Sequence, residues 1–167
     1  QSLDKKPDLK EIIKIFFINN KKKIFLILIL ALAAIIIIFL WKENQNKKDV
    51  LISEKYVKAG LLLSKNETED AVNYYEEIII SNNKFYSILA LNTILEKELI
   101  KDEKKILEYF KILEQKNFKE ENLDLIIFKK ALFLIKISDK QNGNLLLKKL
   151  IEKNSSLKGL AQEIVIK

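Results

Sequence analysis

Lysine amines and carboxylates carry nearly all the ionisable chemistry of this sequence. Its 167 residues include 30 Lys and 23 Asp plus Glu, with no Arg, His, Cys or Met, for a formal charge of +7. Two carboxylates facing one another can run glycoside chemistry without His or Cys. The pairs on offer, Glu76-Glu77 and Glu120-Glu121, are adjacent in sequence and point about 100° apart on a helix. Other acids stand three or four residues from a Lys, as Glu54 does from Lys58, which reads as a solvated helix face. Without His or Cys there is no zinc finger, thiol nucleophile, disulfide or Ser-His-Asp triad. The three Gly (Gly60, Gly143, Gly159) form no phosphate-cradling loop. The sequence therefore predicts no catalytic residues, no metal, no cofactor and no small-molecule substrate.

The basic balance does not predict a nucleic-acid partner either. Twenty-seven Ile, 30 Lys and 14 Asn against eight Ala match the codon bias of an AT-rich genome. Residues 42–167 carry 23 Lys and 20 acids, a net +3 with the signs mixed, and offer no basic face with interleaved aromatics. The chain does not open on Met, so a piece of a longer protein is expected.

The elements that position these groups divide into three parts: 1–23, 24–41 and 42–167. From Ile24 through Leu32 to Trp41 run 18 residues without a charge. As a helix the run is about 27 Å long, close to a hydrocarbon core of roughly 30 Å. Each central Leu or Ile favours insertion by about 0.3–0.6 kcal/mol. A cleaved signal peptide would have a shorter run and a small-residue cleavage site. Here Phe39-Leu40-Trp41-Lys42 closes it, with Trp41 as an interfacial anchor, so a signal-anchor is expected. Residues 1–23 hold seven Lys and three acids, a net +4, with Lys21, Lys22 and Lys23 against the span. The positive-inside rule then keeps the N-terminus cytoplasmic and exports residues 42–167, to the periplasm in a bacterium.

The arm has its own pattern. Leu9, Ile12, Ile13, Phe16 and Phe17 fall on one helical face, Lys10, Glu11 and Lys14 lie opposite, and Pro7 suits a first turn. A basic amphipathic helix lying in the headgroup layer is expected. A docking helix for a cytoplasmic partner is the alternative.

Beyond residue 48 the periodicity is helical throughout, and predicts helices at about 49–65, 67–81, 85–99, 103–116, 120–138, 142–153 and 156–167. Asn66-Glu67-Thr68-Glu69 reads as an N-cap followed by an acid. Ser81-Asn82-Asn83, Lys101-Asp102 and Asn154-Ser155-Ser156 break the pattern. Helix 120–138, the most apolar, is expected to be the most buried. Short joints imply antiparallel helix pairs.

Ala59, Ala71 and Tyr75 resemble the heart of a tetratricopeptide repeat. In that family a small residue lies twelve before a second small residue, with an aromatic four later. Ile106 and Phe110 take the second and third positions in a next unit, where Ile106 is not small. A further unit around Leu146 and Leu150 needs a 40-residue step. An all-α, tetratricopeptide-like solenoid is expected after the transmembrane helix, with a generic helical bundle as the alternative. The resemblance implies a concave face carrying Ser53, Tyr56, Gly60 and Leu63, then Ile88, Leu91 and Leu95. Those last three also suit plain core positions.

The whole layout adds Ser53-Glu54-Lys55-Tyr56, Phe85-Tyr86-Ser87-Ile88-Leu89-Ala90 and Leu160-Ala161-Gln162-Glu163 in order after the span. It resembles the YfgM-type family, the inner-membrane ancillary subunit of the bacterial Sec translocon. The resemblance implies a single-pass anchor and a periplasmic helical domain beside the channel. It implies partnership with periplasmic chaperones and emerging client polypeptides, and further helices beyond Lys167. Another single-span helical-repeat protein, assembling an envelope or cell-division complex, is the alternative.

Overall fold

Seven helices make up the regular structure of the described residues, 9–81 and 83–165, in the computed structural model. They are α1 (Leu9–Ser64), α2 (Thr68–Ile80), α3 (Lys84–Glu96), α4 (Glu103–Glu114), α5 (Glu120–Lys136), α6 (Lys140–Glu152) and α7 (Lys158–Val165). The expected Pro7 start, the break at Asn82 and the last two residues of the seventh helix lie outside the described residues.

Each of the six boundaries after residue 60 falls close to where periodicity put it. The start does not. Arm, apolar run and the helix expected at 49–65 are one helix, α1. Neither 18–23 nor 42–48 contains Gly or Pro, so nothing local stops the helix, and Glu43 pairs with Lys47 at 3.7 Å across one turn. By packing, the chain divides into the units Gln1–Lys48 and Asp49–Lys167.

In the first unit, α1 has a most apolar 18-residue stretch of mean hydropathy 3.4 with no residue buried, long and apolar enough to cross a membrane. Leu32 and Trp41 are 61% and 64% exposed. Lys21, Lys22 and Lys23 are exposed beside it, and Ile24 is half-buried.

In the second unit, α1 to α4 build one core from Ala59, Ala71, Tyr75, Ala90, Leu91, Ile106 and Phe110, joined by Ile126 of α5. A second core gathers Phe128 and Ala131 of α5, Leu147 and Leu150 of α6 and Ala161 of α7. Helix α5 is not the exceptionally buried helix its composition suggests. It buries five of 17 residues against four of 12 in α4. Leu132 stays 37% exposed.

Four helices end on a left-handed residue that is not Gly. Asn66 closes α1 (φ 64°), Glu98 α3 (49°), Ser138 α5 (70°) and Asn154 α6 (55°). After each, the next amide reaches back into the last turn, as Glu67 N–H donates to the Leu62 carbonyl at 3.0 Å and Asp139 N–H to Leu134 at 2.9 Å. Asn66 is thus the stop of α1 and not the N-cap of α2. That cap is Glu67, whose side chain makes no cap bond. Side-chain caps do begin α3, α4 and α6, from Asn83, Asp102 and Asp139.

Helices α5 and α6 pack closely at Gly143. A Cβ there would stand 2.6 Å from Ile135 Cγ1 and 2.8 Å from the Ala131 carbonyl oxygen. Gly143 follows Ala131 by twelve positions, as Ala71 follows Ala59. The small residue does not fall where a unit around Leu146 and Leu150 would put it. Leu150 is buried but Leu146 only half so, and the small residue lies three positions before Leu146.

Candidate functional site

The second pair of helices lacks a small residue at this crossing. Twelve positions before Ile106 stands Ile94, so two β-branched side chains take the places that Ala131 and Gly143 hold in α5 and α6. Helices α3 and α4 touch far less than α5 and α6 do. A groove of about 340 Å³ opens beside them, between the end of α3, the start of α4 and the last turns of α5.

Its floor is apolar: Ile94 and Leu95 of α3, Ile100 of the joint, Ile106 of α4, and Leu132 and Phe133 of α5. Phe133 is backed by the buried Phe110, with ring centroids 6.0 Å apart. The rim is charged. Glu96, Glu98, Lys101 and Glu103 line the α3–α4 side, and Lys129 and Lys136 the α5 side. Lys136 reaches Glu98 at 2.6 Å, and Lys101 meets the same carboxylate at 3.3 Å. These two lysines, Lys136 foremost, hold the Glu98 carboxyl below its usual range. An apolar floor with a rim of both signs suits an apolar side chain carried on a charged polypeptide.

The residues singled out by sequence scatter over two environments. Ala59, Ala71, Tyr75, Ile106 and Phe110 are buried together in the first core. Of the implied concave face, Leu91 is closed into that core, and Leu63, Ile88 and Leu95 pack half-buried against it. Gly60 is exposed, with no atom within 4 Å of a Cβ placed there. Tyr56 is engaged: its ring lies 5.6 Å from those of Tyr75 and Tyr86, and its hydroxyl bonds Thr93 Oγ1 at 3.1 Å. Leu95 alone of these six reaches the groove.

Three of the four carboxylates weighed for catalysis are tied to lysines distant in sequence. Glu77 pairs with Lys55 at 2.6 Å, Glu76 with Lys105, and Glu120 with Lys153 at 3.6 Å. Lys58 does not turn to Glu54 but sits over the Tyr74 ring, 4.8 Å from its centroid.

One buried and one half-buried charge escaped the sequence reading. Asp124 on α5, 3% exposed, is met by Lys153 at the end of α6. Lys116, just past α4, donates to the Ile79 carbonyl at 2.6 Å, to the Ser81 carbonyl and to Ser87 Oγ at 2.8 Å. Burial pushes its ammonium down to about 8. Partners 29 to 37 positions away leave no local signal.

No protein-family model, curated protein or solved structure matches the chain.

Proposed function

We propose that this protein is a membrane-anchored interaction scaffold: an ancillary subunit of the Sec translocon that links the channel to periplasmic chaperones and emerging polypeptides. The observation that carries the scaffold role is the apolar groove floored by Ile94, Ile106 and Leu132 beneath a rim of both charges. The resemblance to the YfgM-type layout carries the choice of partner. In this reading Ile24–Trp41 spans the inner membrane once, Lys21–Lys23 hold the N-terminus in the cytoplasm, and the second unit is a periplasmic tetratricopeptide-like solenoid. The recurrence of a small pair twelve residues apart, Ala59 with Ala71 and Ala131 with Gly143, supports the repeat. A groove of this size takes a few apolar anchors, so single contacts are weak and the membrane supplies effective concentration.

Two photo-crosslinking residues test the proposal in cells, at Trp41 beside the bilayer and at Leu132 on the groove floor. Channel or chaperone adducts are expected from the first, and chaperone or nascent-chain adducts from the second. Adducts confined to envelope-assembly or cell-division proteins would assign the protein to the rival class of helical-repeat assembly factors.

A further inference from the structure

Among the described residues of the first unit, no protein surface covers the apolar side chains of the arm preceding the apolar run. Leu9, Ile12, Ile13, Ile15, Phe16 and Phe17 are 49–75% exposed, and Phe16 and Phe17 meet edge to face at 6.3 Å. The residues from 9 to 23 also carry Lys10, Lys14 and Lys21–Lys23 against the single acid Glu11, a net +4. Held in line with a spanning segment, the arm would project into water and leave this apolar face wet. Helix α1 runs unbroken from arm to span, so the arm reaches the bilayer surface only by bending between them. Asn19 and Asn20 are poor helix formers, and the Asn20 amide donates to the Phe16 carbonyl at 3.0 Å, one turn back, where it competes with the backbone donor.

We infer that residues 9–23 bind anionic phospholipid headgroups, the arm lying in the bilayer surface with its apolar face in the acyl boundary and its lysines on the phosphates. The inference rests on the reading of Ile24–Trp41 as a span. Charge complementarity selects the occupant. Five lysines and one acid oppose a negatively charged leaflet, each lysine near the surface strengthens attachment several-fold, and Phe and Ile supply the insertion. The lysine cluster then serves two ends, orientation and attachment of the arm to its own leaflet.

The chain has no Cys, so single nitroxide-labelled Cys residues report depth in the purified full-length protein in nanodiscs. Labels at Ile13→Cys and Phe17→Cys are expected to collide with a water-soluble relaxant several-fold less often than one at Lys14→Cys when the lipid is a phosphatidylcholine–phosphatidylglycerol mixture. In phosphatidylcholine alone, at high salt, or with Lys10→Gln and Lys14→Gln together, that protection should fall away. Equal exposure at positions 13, 14 and 17 in anionic discs would overturn the inference and leave the arm free for a protein partner. Protection indifferent to lipid charge and salt would overturn the headgroup assignment. A label at Ile29→Cys separates the two readings: buried from the relaxant, it shows that the span stands whatever the arm does, and exposed, it removes the span and this inference with it.

Discussion

Gly143 of α6 rests on the backbone of Ala131 in α5, so close that a Cβ at Gly143 would come within 2.8 Å of the Ala131 carbonyl oxygen. A carbonyl in a packed helix cannot retreat as a flexible side chain can, so this contact fixes how near the two helices lie.

Gly143→Ala should therefore destabilise the helical unit by about 1–3 kcal/mol, although Ala is the better helix former. Gly60→Ala and Gly159→Ala meet nothing within 4 Å and should be neutral to stabilising, by up to about 1 kcal/mol. Thermal melts of a fragment of residues 48–167 followed by circular dichroism compare all three. Equal effects would mean that α6 does not approach α5 at Gly143.

Ser138 closes α5 with a φ of 70°, a conformation in which a side chain is unfavourable, and it is exposed. Ser138→Gly should raise stability by about 1 kcal/mol, and Ser138→Val should lower it. Denaturant midpoints measured at unchanged slope check both signs.

Lys116 links the stability of the unit to alkaline pH. Its pKa is about 8 when folded, against an ordinary 10.5 when unfolded. Between these values the unfolded chain binds the extra proton, so the contribution of this group to stability rises with pH through that window and is flat below it. Lys116→Met keeps the apolar stem but leaves the Ile79 and Ser81 carbonyls without this donor, a loss of about 1–3 kcal/mol at pH 7. The difference in unfolding free energy between the two proteins should change from pH 8 to 10.5. A constant difference would show that the ammonium is not desolvated.

Topology is decided by cysteine accessibility. An impermeant maleimide added to intact spheroplasts should label Ser155→Cys and spare Ser2→Cys. The reverse pattern would invert the orientation, and equal labelling would mean that Ile24–Trp41 does not span.

Local chemistry was enough to determine that the described chain is helical, where most helices begin and end, and that one segment is long and apolar enough for a membrane. Helical periodicity, side-chain caps and uncharged runs act over a turn or two, so they can be read from neighbours in sequence. The same locality explains the misreading of Asn66. A polar residue between two helices serves as a left-handed stop or as an N-cap, and only its backbone angle distinguishes them. Which faces meet was decided by tertiary structure. Gly143 carried no signal beyond its place in the helix expected at 142–153 until α5 lay against it, and the isoleucines at 94 and 106 became a groove floor only once Leu132 and Phe133 of α5 came beside them. Lys116 and Asp124 belong to the same class. Burial of a charge depends on partners brought together by the folding of distant helices, and sequence spacing carries no record of those distances.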